Sequence, residues 1–282
     1  MKKLYKSDGS ILCGLSTSKI KVPAIFDSVL STENIYTCAV TGDVQSGCAN
    51  GNVVWFANIT NNTLYKYDIG TQALTSGSIS GMGHANGMTY CDADNCIYID
   101  TMNANQGTIL KVNADTLSLV DTITHTDLHS SIAWNRSTQE FYAKQSNGNI
   151  IVYDHAWNKI RTFTLSNIPS GTNQSIETDG TFLYFAWLEG TSYYVDNKQH
   201  IYVYTLDGTF LKDIKPMCSE IESLAYNGYG DYYIITAHGS SGYGKLNKVI
   251  PYANVDVPAT DGTYVLKATV NSGAITYEWV AE

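Results

Sequence analysis

The sequence predicts an all-β fold, a five-bladed β-propeller, from a motif recurring at blade spacing, a composition suited to strands and tight turns, and an orphan strand near the N-terminus placed to close a ring. The motif reads Gln45-Ser-Gly-Cys-Ala, Asn86-Gly-Met-Thr-Tyr, Ser130-Ser-Ile-Ala-Trp, Gln174-Ser-Ile-Glu-Thr and Glu222-Ser-Leu-Ala-Tyr. By subtraction its first residues lie 41, 44, 44 and 48 positions apart, the period of propeller blades. With 21 Tyr and 23 Gly against 5 Pro in 282 residues, and no long stretch of helix-forming composition, the chain favours strands joined by tight turns.

Each motif opens a blade as its innermost strand. A turn and a second apolar run follow: Val53-Val-Trp-Phe-Ala, Ile97-Tyr-Ile, Phe141-Tyr-Ala, Phe182-Leu-Tyr-Phe-Ala and Tyr232-Tyr-Ile-Ile. The third runs are Leu64-Tyr-Lys-Tyr-Asp, Ile109-Leu-Lys-Val-Asn, Ile150-Ile-Val-Tyr-Asp, Ile201-Tyr-Val-Tyr-Thr and the weaker Leu246-Asn-Lys-Val-Ile. More polar fourth strands begin at Ala73, Leu117, Ile160 and Phe210. The fifth blade stops after its third strand, near Tyr252. Its fourth strand is expected from upstream, where Asn34-Ile-Tyr-Thr-Cys-Ala-Val40 has no other partner. That exchange removes the open sheet edges of an unclosed ring. Six blades result if residues 5–30 contribute another.

Three segments follow from this reading: an N-terminal arm over residues 1–32, the propeller over 33–252, and a tail over 253–282. The tail holds two alternating runs, Thr263–Val270 and Ala274–Val280, about the turn Asn271-Ser-Gly, which predicts a β-hairpin. A lone hairpin is marginal in water, so it is expected to dock on another surface.

The charge balance limits the partners. A net charge of -9 repels phosphate backbones and anionic membranes, so nucleic acid is not expected. No window approaches the roughly 18 apolar residues of a membrane helix, and membrane insertion is not expected. Met1-Lys-Lys-Leu-Tyr-Lys is a basic start, but Ser7-Asp-Gly-Ser falls where the apolar core of a secretory signal belongs, so no signal peptide is read. The six cysteines include no CxxC. Cys91 and Cys96 flank the turn Asp92-Ala-Asp-Asn95, within bridging reach of each other, and free buried thiols are the expected state.

The stretch from Val257 to Val280, with its core Asp261-Gly-Thr-Tyr-Val-Leu-Lys-Ala-Thr-Val and Tyr277-Glu-Trp-Val, resembles a short C-terminal element of phage head and tail fibre-type proteins. It covers about a tenth of the chain. The repeats separately resemble the broad NHL and YVTN-like propeller class, which is shared by binding proteins, enzymes and scaffolds and so says little about function. The phage resemblance implies a virion structural or decoration protein, made in the host cytoplasm, with other virion proteins as partners. It implies display of the propeller toward a host-surface glycan or protein, and it carries over no catalytic residues.

Two groups of residues are candidates for ligand binding. Gln45, Asn86, Ser130, Gln174 and Glu222 open the five motifs, so a ring of polar side chains near one channel mouth follows, with His84, His129, Asn173 and Glu220 around it. Hydrogen bonding among the crowded inner strands would equally require polar side chains there. The second group is the insertion from Glu189 to Asn197, where Tyr193 and Tyr194 stand near Trp187. Exposed aromatic residues suit sugar faces, and at least one of the two tyrosines is expected at the surface.

Catalytic patterns are weak, and neither a cofactor nor a metal is expected. Gly239-Ser-Ser-Gly-Tyr-Gly-Lys245 has phosphate-loop spacing, but Leu246 replaces the required Ser or Thr and a strand follows instead of a helix N-terminus. Glu177 stands where the other motifs have Cys48, Thr89, Ala133 and Ala225. It has a raised pKa if unpaired, or a partner such as Arg161. An acid and base pair drawn from Glu177, Glu220 and Glu222 would suit cleavage or elimination across a glycosidic bond, so a polysaccharide lyase or hydrolase is one alternative to pure binding and a cellular protein-binding scaffold another. His125, Asp127 and His129 offer ligand types without helical spacing, and Asp92–Asn95 lacks the glycine and terminal glutamate of a calcium loop.

Overall fold

A computed structural model describes residues 2–5, 11–15, 19–23, 29–38, 42–102, 106–127, 129–145, 147–190, 198–216, 218–237, 244–250, 252–256, 264–271 and 274–281. The chain divides into two compact units: Ser31–Val249, and Met1–Leu30 together with Ile250–Glu282.

In chain order the strands are β1 (Lys2–Tyr5), β2 (Ile11–Leu15), β3 (Lys19–Pro23) and β4 (Val29–Thr37), followed by the blades. Blade one is β5 (Val44–Asn50), β6 (Val53–Asn58), β7 (Thr63–Asp68) and β8 (Leu74–Ser78). Blade two is β9 (His84–Cys91), β10 (Cys96–Met102), β11 (Thr108–Asn113) and β12 (Leu119–Thr124). Blade three is β13 (Ser131–Asn135), β14 (Glu140–Lys144), β15 (Asn149–Asp154) and β16 (Lys159–Thr164). Blade four is β17 (Thr172–Thr178), β18 (Phe182–Leu188), β19 (Gln199–Thr205) and β20 (Phe210–Pro216). Blade five has β21 (Ile221–Tyr226), β22 (Tyr232–Thr236) and β23 (Lys245–Ile250).

Sheet order shows how the ring closes. Blades one to three are separate four-stranded antiparallel sheets, whereas β17-β18-β19-β20-β4-β23-β22-β21 forms one eight-stranded sheet. The upstream strand thus completes blade five against β23, as the missing fourth strand required, and also meets β20. The Cys38 amide donates to the Gly244 carbonyl at 2.9 Å, and Asn34 Nδ2 donates to Asn247 Oδ1 at 3.3 Å. Around the axis β5 packs on β9, β9 on β13, β13 on β17, β17 on β21 and β21 on β5. The unit Ser31–Val249 is therefore a five-bladed β-propeller.

Burial follows from this arrangement. Both faces of an inner or middle strand are covered by neighbouring blades, so β5, β9 and β13 are buried almost throughout, while β12 and β16 are largely exposed outer strands. The apolar core is divided among the seams. Trp55, Leu64, Ile97 and Val112 fill the one between blades one and two, where Trp55 stacks on Tyr90 with ring centroids 5.3 Å apart. Tyr98, Ile132, Trp134, Phe141 and Tyr153 fill the next.

The inner strands approach so closely that side-chain size is constrained. A Cβ on Gly87 would lie 2.6 Å from the Ser131 Cα, a backbone clash that no side-chain motion relieves. At this second motif position the other repeats carry only serine, at 46, 131, 175 and 223.

In the smaller unit β1 pairs with β2, β3 with β24 (Tyr252–Asp256), and β25 (Tyr264–Asn271) with β26 (Ala274–Ala281). The last pair is the hairpin predicted for the tail, in unbroken register from Tyr264↔Ala281 to Asn271↔Ala274.

Candidate binding face

The motif residues Gln45, Asn86, Ser130, Gln174 and Glu222 come together at one end of the ring, where each inner strand begins. All five are buried there. Asn86 Nδ2 donates to two carbonyls, Ser130 O and Gln174 O, both at 2.8 Å. Gln174 Nε2 donates to Glu222 Oε1 at 3.4 Å. Much of the polar ring is therefore used to tie blades two, three, four and five together, satisfying groups that water cannot reach. Asn173 does similar work within its blade, donating to Ser175 O and Ala186 O at 3.1 Å each.

Further ties use the fourth and second motif positions. The Trp134 amide donates to Thr89 Oγ1 at 2.9 Å, and the Tyr226 amide to Glu177 Oε2 at 3.1 Å. Glu177 thus stands in for threonine as acceptor for the next blade. Its other oxygen accepts the Thr178 amide at 2.8 Å, and burial pushes its pKa up to about 8 against the opposing pull of those amides. Arg161 pairs instead with Glu140, at 2.8 Å. Ser131 Oγ accepts the Ile176 amide, and Ser223 Oγ donates to Gly47 O, both at 2.9 Å.

The same end gathers a set of titratable groups that the motif alone does not reveal. Because the second strand of a blade runs antiparallel to the first, its C-terminal residues lie beside the start of the inner strand. Asp100 and Lys144 reach the face this way, opposite Gly87 and Ser131. Lys144 is buried, donates to Gln145 O at 3.2 Å, and lies 5.6 Å from the centre of the Trp187 ring in blade four. Desolvation lowers its pKa to about 8. His129 Nδ1 and Asp100 Oδ2 are 2.9 Å apart, both fully covered, and burial raises the Asp100 pKa while the imidazole partly offsets it. The Glu222 carboxyl is held well above the usual range, first by burial and then by the charges of Glu220 and Asp43, and it hydrogen-bonds Glu220. His84 is shifted down by burial. The face favours neutral forms.

Glu222 shares a hydrogen bond with Glu220, and Glu177 accepts the Thr178 and Tyr226 amides toward the far end of its strand. Asp127 accepts from Tyr153 at 3.3 Å and Lys159 at 3.4 Å, while His129 pairs with Asp100.

The second candidate group divides. Trp187 is a core residue: it is buried, its Nε1 donates to Ser170 O at 3.1 Å, and its ring meets Tyr202 edge-on. It has no surface with which to hold a ligand. Tyr193 and Tyr194 lie outside the described residues. The segment 238–243 of the glycine-rich loop does too, and Lys245 opens strand β23, the strand expected after it.

These features define a five-bladed propeller with one polar, charge-suppressing end. No family model matches the chain, and no curated protein does. Among solved structures it is similar to a luciferin-regenerating enzyme, with a TM-score of 0.50 and 11% identity over 81% of this chain and 99% of that one. At that identity the likeness concerns the fold alone.

Proposed function

We propose that this chain is a phage virion structural protein whose propeller binds a host-surface glycan or protein while its C-terminal hairpin attaches to other virion proteins. The observation that carries the reading is the tail. The segment that resembles a phage fibre element is a complete eight-residue-a-side hairpin, and it belongs to a compact unit separate from the propeller. That is the division of labour expected of a decoration protein, with one element to anchor and one to display. An inner-strand ring used chiefly as mutual hydrogen-bonding partners supports a rigid scaffold, and binding on such scaffolds falls to the loops.

Removal of residues 256–282 tests this. The truncated propeller should fold and still bind host cells while failing to join particles. Incorporation at the parent level would defeat the anchoring role, and shortened glycans in the binding assay would favour the enzymatic alternative.

A further inference from the structure

At the end of the ring opposite the polar face, the turn between the first two strands of blade two meets the last turn of blade three. Cys91 ends β9, Asp94 lies in the following turn, and His155 begins the turn after β15. One ligand atom from each, a thiol sulfur, a carboxylate oxygen and an imidazole nitrogen, lie within 4.8 Å of one another. Sulfur and nitrogen donors with a carboxylate are the set that zinc and its neighbours prefer over calcium or magnesium.

A second observation singles out this trio. Asp94 Oδ2 is held by the Tyr98 hydroxyl at 2.6 Å and the Lys111 ammonium at 2.7 Å, with His155 Nε2 at 3.2 Å. Asp94 Oδ1 is shut away from water with no N–H or O–H donor on it, and the Cys91 thiol is a hydrogen-bonding neighbour of the carboxylate. A covered carboxylate oxygen with open valence normally costs free energy, and a cation would satisfy it. Cys96, paired in register with Cys91 across the hairpin, is a free buried thiol beside it.

We propose that Cys91 Sγ, Asp94 Oδ1 and the His155 ring bind a single zinc-class divalent cation that staples blades two and three. On binding, the Cys91 S–H bond breaks, its proton leaves to solvent and a sulfur–metal bond forms; His155 coordinates as the neutral imidazole, and nothing is oxidised or reduced. Tyr98 and Lys111 stay on Oδ2 and fix the carboxylate, as outer partners do in metal sites generally. The Lys111 charge opposes the cation, and the thiolate and carboxylate together outweigh it. A fourth position falls to Cys96 or to water.

Titration of the purified full chain with cobalt(II), followed by displacement with zinc, tests the site. The expected result is one cobalt per chain with a thiolate-to-cobalt charge-transfer band, lost in Cys91→Ser and retained in Cys218→Ser. His155→Ala should weaken zinc binding at least tenfold; its position on a half-exposed turn keeps the test valid if Cys91→Ser fails to fold. Cys96→Ser decides the fourth ligand, with a changed band marking sulfur and an unchanged one marking water. Absence of the band in the parent, its survival in Cys91→Ser, or unaltered zinc affinity in His155→Ala would overturn the site.

Discussion

Asn86 is the side chain on which the ring's polar centre depends most, and replacing it by alanine gives the sharpest test of how the blades are held. The change removes two buried donors at 2.8 Å and leaves the Ser130 and Gln174 carbonyls without that partner in a space closed to water. A buried group left unsatisfied costs about 1–3 kcal/mol. Two carbonyls, each able to recover part of the loss by small shifts, give about 2–4 kcal/mol in all. For a domain of this size that corresponds to a fall in Tm of roughly 5–15 °C. Asn86→Asp keeps the shape but sets a carboxylate against the same two oxygens, so it should melt below the alanine variant at neutral pH. Differential scanning calorimetry beside the exposed control Thr122→Ala, expected within about 0.5 kcal/mol of the parent, makes the comparison. If Asn86→Ala melts with the control, the inner-strand ties are not what holds the blades together.

Three further outcomes follow from the same geometry. Deleting residues 1–41 removes β4, uncovers the edge of β23 and should lower the melting temperature sharply; an unchanged Tm would refute the closure. Gly87→Ala should destabilise by about 3 kcal/mol or more in chemical denaturation, because its Cβ meets backbone at 2.6 Å. Glu177, raised to about 8 from an ordinary 4.5, binds its proton more tightly folded than unfolded, so its contribution is full below about pH 4.5 and is lost as pH rises to 8. The loss reaches at most about 5 kcal/mol at about 1.4 kcal/mol per pH unit. Urea denaturation across that range should therefore show the parent losing stability relative to Glu177→Gln, and parallel curves would contradict the assignment.

Much of the fold was legible because propeller repeats bury similar faces in a similar order, so one motif exposes all the blades and one missing strand exposes the closure. The site was legible only in part. The five motif-opening residues were legible because they occupy one repeat position, and of the two roles open to them, a channel mouth or hydrogen bonding among crowded strands, their burial favours the second. Lys144, Asp100 and His155 escaped because Trp187, His129 and Asp94, which they meet, come from other blades, tens of residues away. The run of serines at the second motif position was a signal of that crowding. Trp187 was misread because an aromatic at the end of a strand looks the same whether its ring turns inward or toward a loop.

Peptide mapping of gradient-purified phage particles tests the central claim most directly. The account predicts peptides from both the propeller and the 264–281 hairpin, at a fixed copy number relative to the particle's other structural proteins. A particle preparation that lacks this chain while infected-cell lysate contains it would contradict the virion assignment.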